Sequence, residues 1–327
     1  MSDRAGRRRL LGHAAVLTTA LLWGSLIPFL DILLAHIDVF ALSMIRYGVA
    51  GTLLLGGLLI WRGAAWLRPL PVGKVFLLGI CGICGFGTLY TLAIAASAPG
   101  MAIVVASATP VVSALFAALV YRMPFPKGTG LAFALAATGA ATASLGRHGA
   151  AFTFDLHGGE PLFVLAAICW AWYSINAQAW LGAFSQLQLT AVTMATAGIG
   201  VFAVFLIAAG LGVSHFPARP PSHILALLAF VTIGSTLIGV LCWNFAVDRL
   251  GVIIASLYLN LLPVVGMMTA AAIGHPPTAM QLIGGAIVIA GIAQLQLRRL
   301  RRPPMLAEGL SPGAHLSHTR CPSNASR

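Results

Sequence analysis

Charge is what this sequence has least of. Only 8% of its 327 residues are Asp, Glu, Lys or Arg, and acids are scarcest, 7 against 19 bases. Soluble domains carry roughly 25% charged residues, so a water-soluble globular fold is excluded. Cysteine is also sparse. Cys81, Cys84, Cys169, Cys242 and Cys321 form no disulfide framework, and Cys81-Gly-Ile-Cys84, although a CxxC, lies in an apolar run without a second ligand pair. Four of the five read as small buried hydrophobes. No Ser–His–Asp arrangement, no metal-ligand cluster and no phosphate-binding glycine loop is found in the apolar runs. The sequence therefore predicts no catalytic set, no metal and no cofactor. The net charge of +12 could signal nucleic acid, but the bases sit in the tails and short loops, where they mark membrane topology. Nucleic acid is not an expected partner.

What the chain does have is apolar length. It is 59% hydrophobic with a mean hydropathy of +0.94. Ten apolar segments can be marked, near 11–35, 39–61, 74–96, 100–121, 128–146, 161–182, 189–211, 223–245, 252–273 and 279–297. Crossing a bilayer takes about 20 residues of helix, so these predict an all-α integral membrane protein of ten transmembrane helices, with the lipid bilayer as its first partner. The opening Arg4, Arg7, Arg8, Arg9 and apolar run mimic a secretory signal, but the run is longer than a cleavable one and reads as the first span. The expected organisation is a basic N-terminus (1–10), a first five-span unit (11–146), a linker (147–160), a second five-span unit (161–297) and a Pro-, Ser- and Arg-containing disordered tail (298–327).

The two units are copies. Leu89 to Pro124 lies without a gap on Cys242 to Pro277. Ala93 then meets Ala246, Pro110-Val111-Val112 meets Pro263-Val264-Val265, and Tyr90 and Ser107 stand opposite Trp243 and Asn260. Each copy carries a proline in mid-span, which removes a helix hydrogen bond and marks a place where two halves can meet around a ligand. Lys and Arg gather on one side if the N-terminus is inside, leaving Arg147 and Arg219 outside, so both termini are expected in the cytoplasm. Five spans is an odd number, so the second unit should be inserted upside down, giving two inverted five-helix repeats. Arg outnumbers Lys 17 to 2, which with the alanine content suggests a GC-rich bacterial source and hence an inner (cell) membrane location. In the fifth span Gly128, Ala132, Ala136, Ala140 and Ser144 form a stripe of small residues suited to close packing, either within the fold or in a homodimer.

Leu22-Trp23-Gly24-Ser25, Ile45-Arg46-Tyr47, Trp243-Asn244-Phe245-Ala246, Gly251, Leu262-Pro263-Val264 and Gln281-Leu282-Ile283-Gly284 through Ala290-Gly291 resemble, in order and spacing, the EamA-type family of the drug/metabolite transporter superfamily. The resemblance covers residues 15–145 and 160–296. It implies a ten-helix inverted-repeat transporter, often an exporter of amino acids, related metabolites or drugs, with a central cavity from spans 1–4 and 6–9 and peripheral fifth and tenth spans. The family usually has a Gly-Glu pair after spans 4 and 9. Here Tyr121-Arg122 and Gly274-His275 stand there instead.

Candidate solute-binding residues are aromatic or hydrogen-bonding and near mid-span: Trp23 and Ser25 in span 1, Tyr90 in span 3, Ser107 and Pro110 in span 4, and Trp170, Tyr173 and Ser174 in span 6. Trp243 and Asn244 near the end of span 8 complete them with Ser256, Asn260 and Pro263, which at i, i+4 and i+7 share one face of span 9. Trp243 so near a span end can equally be an interfacial anchor. Asp31 and Arg46 are the charges inside spans and are expected to pair, fixing spans 1 and 2. The sharper reading has Arg46 holding a substrate carboxylate. The expected function is secondary transport of a small organic solute by alternating access, as an exporter of amino acids or related metabolites. Drug efflux by the same fold is one alternative. A membrane-embedded enzyme for a lipid-linked substrate is the other, although short, chemically poor loops offer it no acids, bases or metal.

Overall fold

The computed structural model describes residues 2–96, 109–123, 159–215, 220–274 and 279–300, with short helical pieces between 130 and 142. No strand occurs among the described residues. The helices are α1 (Ser2–Leu34), α2 (Val39–Arg62), α3 (Val72–Ala96), α4 (Thr109–Tyr121), α5 (Glu160–Leu181), α6 (Gln186–Gly210), α7 (Ser222–Leu250), α8 (Val252–Tyr258), α9 (Leu262–Ala272) and α10 (Ala279–Leu300). Among them α1, α2, α3, α5, α6 and α7 are long and apolar enough to cross a membrane. Their outward faces carry side chains such as Ile60, Ile199 and Ile207, exposed at 90%, 62% and 64%. Such a belt is stable against lipid and not against water.

Local chemistry sets the helix starts. The Asp38 carboxylate caps α2 by accepting the N–H groups of Phe40 (3.0 Å) and Ala41 (3.1 Å). Ser185 and Gln188 form a capping box at the start of α6, the corresponding helix of the second copy. The third long helix of each copy widens into a π-helical stretch, Leu78–Cys84 in α3 and Phe230–Ile238 in α7. Under the sequence duplication Leu78–Cys84 falls on 231–237, inside the second stretch, so the two copies share an irregularity that neither composition nor periodicity announces.

Helices from the two copies interleave. α2 crosses α6 where Gly51 lies against Met194 and Gly198 lies against Gly48, so numbering rises in one as it falls in the other and the pair is antiparallel. α1 runs antiparallel to α7, with Thr19 Oγ1 donating to Gly239 O (3.2 Å) and Trp23 Nε1 to Ser235 O (2.8 Å). In the same way α5 runs antiparallel to α3, with Trp170 on Phe86 (4.8 Å) and Phe163 on Tyr90 (5.4 Å between rings). α1 also packs on α9, and α5 on α4. One buried cluster centres on Trp170, Tyr173 and Trp243. A second, holding Leu30, Leu33, Phe163 and Val231, fills the end of the bundle that bears Asp38.

The expected spans coincide with α1, α2, α3, α5, α6, α7 and α10, although α7 runs on to Leu250. The first half of the fourth span and all five small residues of the fifth-span stripe lie outside the described residues. The ninth span departs from expectation. A 3-10 turn, Leu259–Leu261, separates α8 from α9 where one continuous helix is expected. Pro263 has no N–H to give the Leu259 carbonyl, which accepts from Leu262 N instead. The tighter turn advances the helix phase by about 20° more per residue than an α-helix does.

Candidate functional site

Three tryptophans meet where the two copies join. Trp23 of α1 makes an edge contact with Trp170 of α5 at 5.2 Å and stacks on Trp243 of α7 at 5.6 Å, while Trp170 and Trp243 lie 5.7 Å apart. Such pairs add about 0.5–1.5 kcal/mol each beyond their buried area. Trp23 reaches this position because Gly239 has no side chain: a Cβ there would sit 2.4 Å from the indole nitrogen. Phe86 extends the aromatic surface from Trp170 (4.8 Å) to Tyr90 (5.3 Å).

A polar network lies behind the rings. Trp243 Nε1 donates to Ser174 Oγ (2.9 Å), and Ser174 Oγ donates to Trp170 O (2.8 Å). Asn244 Nδ2 donates to Tyr173 OH (2.8 Å) and Thr190 Oγ1 (3.0 Å), and Tyr173 OH lies 3.2 Å from Thr193 Oγ1. Asn244 Oδ1 and Trp170 Nε1 are buried without a hydrogen-bond partner among the described residues. Each such orphan costs about 1–3 kcal/mol, an expense that a bound polar solute would relieve.

Arg46 sits between α2 and α7. It is 3% exposed, its Nε donates to Thr236 Oγ1 (3.3 Å), and its guanidinium lies 5.3 Å from the centre of the Tyr47 ring. Thr236 Oγ1 in turn donates to Val231 O (3.1 Å). The Nε of Arg46 is thus assigned to Thr236 rather than to Asp31, which lies on an exposed part of α1. Two ion pairs, Arg8–Asp248 (3.3 Å) and Arg249–Asp248 (3.1 Å), lie at the end of α7 remote from Asp38.

The structure brings Trp23, Trp170, Tyr173, Ser174, Trp243 and Asn244 into one constellation, with Tyr90 joined to it through Phe86. Trp243 is wholly buried, which excludes the interfacial-anchor reading, since an anchor must reach the headgroups. Ser25 and Ser256 spend their hydroxyl protons on their own helices, at Leu22 O (3.0 Å) and Val252 O (2.8 Å). Ser107 lies outside the described residues, as do the side chains of Pro110, Asn260 and Pro263. Sequence reasoning missed Phe86, Thr190, Thr193, Ser235 and Thr236. The pairs Thr190/Thr193 and Thr232/Thr236, hydroxyls about one turn apart in otherwise apolar helices, were the available signal.

Comparison with known proteins decides the family. The model of the EamA-like transporter family matches residues 10–145 and 157–295, the two copies described above. The chain belongs to the EamA-like transporter family. Among the relatives of this EamA-like transporter, the "Uncharacterized transporter YyaM" of Bacillus subtilis is 26% identical over 256 residues, 76% of this chain and 81% of the relative. The "Probable terminal-alkyne amino-acid exporter" of Streptantibioticus cattleyicolor is 28% identical over 294 residues, 88% of this chain and 94% of the relative. A solved crystal structure superimposes with a TM-score of 0.72 at 20% identity, over 91% of this chain and 99% of the other, a likeness of fold. The transporter is a multi-pass membrane protein, as its family and its apolar helices require. In place of the first glutamate that the EamA pattern leads one to expect, Arg122 adopts φ 51 just after α4, and the Tyr121 hydroxyl accepts a hydrogen bond from Asn176 Nδ2 of α5.

Proposed function

We propose that this EamA-like transporter is a secondary transporter that exports a small organic solute, an amino acid or related metabolite, across a bacterial inner membrane by alternating access between two inverted five-helix repeats. The observation that carries the reading is the contact of Trp23 with Trp170 at 5.2 Å, one ring from the first helix of each copy, at the junction of the halves. The antiparallel run of α2 beside α6, corresponding helices of the two copies, supports the inversion. The charge bias of the sequence supports cytoplasmic termini. In this reading the three tryptophans, Tyr173 and Asn244 form the solute surface, and Ser107, Asn260 and Pro263 complete it from the fourth and ninth spans. Rocking one copy against the other opens that surface to alternate sides. An aromatic surface with orphaned polar atoms suits a ring-bearing zwitterion. The name of the Streptantibioticus relative, "Probable terminal-alkyne amino-acid exporter", points the same way.

The test is flux in proteoliposomes made with the purified chain, against a panel of amino acids, their derivatives and cationic drugs. Saturable movement of at least one amino acid, reduced at least about tenfold by Trp23→Ala, is expected. Flux confined to cationic drugs would make the protein a drug exporter, and a chemically altered lipid with no solute flux would make it an enzyme.

A further inference from the structure

Most buried hydroxyls of this bundle are spent on their own helix: Thr19, Thr91, Ser174, Thr193 and Ser256 each donate to the carbonyl four residues earlier. Two do not. Ser43 Oγ and Thr232 Oγ1 are buried, in residues 2% and 3% exposed, and have no hydrogen-bond partner among the described residues. Helix spacing puts both near the same cation. Ser43 is three residues before Arg46 on α2, the spacing of one helix face, and Thr232 is about one turn before Thr236, the residue that accepts from Arg46 Nε. A guanidinium has five N–H donors, and Thr236 Oγ1 uses one. Two unspent hydroxyls thus lie, by helix spacing, on the elements that meet at the seam between α2 and α7, where Arg46 bonds Thr236.

We propose that Arg46, Ser43 and Thr232 form a receptor for the carboxylate of the transported solute. The inference rests on the transport reading above and adds the group by which the solute is held. A guanidinium fork matches a carboxylate in two parallel hydrogen bonds, and the hydroxyls supply donors for the remaining lone pairs. The charge arithmetic favours a carboxylate over a phosphate, because one cation balances a monoanion, whereas a dianion would leave net charge in the bilayer. The location suits an amino acid. Thr236, which holds Arg46, follows directly on Ser235, whose carbonyl holds Trp23, so a carboxylate at Arg46 sets its side chain within reach of the tryptophans.

The experiment compares free acids with their amides, which keep the shape and lose the charge. Phenylalanine, tyrosine and tryptophan and their carboxamides are offered to proteoliposomes containing the full chain. The wild type should move at least one free acid about tenfold or more faster than its amide, the order a charge-assisted hydrogen bond provides. Arg46→Gln should erase that preference by lowering the acid and sparing the amide. Ser43→Ala and Thr232→Val keep the charge and should each reduce the acid-to-amide ratio severalfold; they carry the test if Arg46→Gln fails to assemble. Combining Asp31→Asn with Arg46→Gln separates a binding group from a structural ion pair, since the double variant stays inactive toward acids only if Arg46 binds them. Equal flux of acid and amide in the wild type, or acid preference kept in the hydroxyl variants, or acid flux restored in the double variant, overturns the receptor and leaves transport standing. No flux of any probe overturns the amino-acid transport reading itself, and the receptor with it.

Discussion

Trp243 Nε1 donates to Ser174 Oγ at 2.9 Å, tying α7 of the second copy to α5, and the same ring stacks on Trp23 of the first copy. One side chain therefore joins three helices across the seam. Trp243→Phe keeps a ring but leaves the Ser174 hydroxyl with one partner fewer. The expected loss is about 1 kcal/mol, read as a lower melting temperature of the purified protein. Ser174→Ala should cost about as much, and the two changes together less than their sum, because they break one bond. Full additivity would show that the bond contributes nothing.

Asp38 ties the α1–α2 turn to the turn after α6 by accepting from Ser214 Oγ (2.7 Å) and His215 N (3.2 Å). Partial burial alone would raise its pKa, but the bonds from Ser214, Ala41, His215 and Phe40 outweigh it and hold the carboxyl below the ordinary carboxylate value. A depressed folded pKa gives stability that is fully present above the unfolded value of about 4 and is lost as pH falls through the folded one. Thermal stability should thus fall below about pH 4 in the wild type, with a shallower fall in Asp38→Asn. Identical pH profiles would remove Asp38 from the account.

At the α2–α6 crossing a Cβ on Gly51 would sit 2.5 Å from Met194 O, whereas one on Gly48 would meet nothing within 4 Å. Gly51→Leu should force the helices apart, at a cost of about 1–3 kcal/mol or more, and lower the yield of folded protein. Gly48→Ala should be close to neutral in the same fluorescence-detected size-exclusion assay.

Single cysteines at Gly158 and Pro304, in a background without the native cysteines, should label from opposite faces of intact cells, Gly158 from outside. Labelling of both from one face would rule out ten spans with cytoplasmic termini.

Trp23→Ala and Asn260→Leu are each expected to reduce flux about tenfold or more with normal membrane insertion, and Ser144→Ala to leave it unchanged. Loss of expression in Asn260→Leu would make that amide a packing residue.

The six long apolar helices, the duplication and the correspondence of Trp23 with Trp170 were readable from residues alone. Entry of a segment into lipid depends on its own length and transfer free energy, and the duplication is a property of the sequence itself. Partner choice is a pairwise matter. Ser174 and Ser256 both donate to their own backbones, yet only Ser174 also receives a tryptophan N–H, and nothing local to either sequence separates them. Arg46 was legible as a charge that needs company, but that its Nε falls to Thr236 depends on how α7 lies across α2. Trp243 stood near a span end, where an anchor and a core residue look alike, and burial decided between them. The π stretches and the break before Pro263 shift helix phase, so faces drawn at a uniform 3.6-residue period fail beyond them. Sequence thus determined that the chain carries apolar helices long enough to cross a membrane and that they come as two copies. Tertiary structure decided which polar groups spend their hydrogen bonds on their own helix, because that competition is settled by the distance to a second helix.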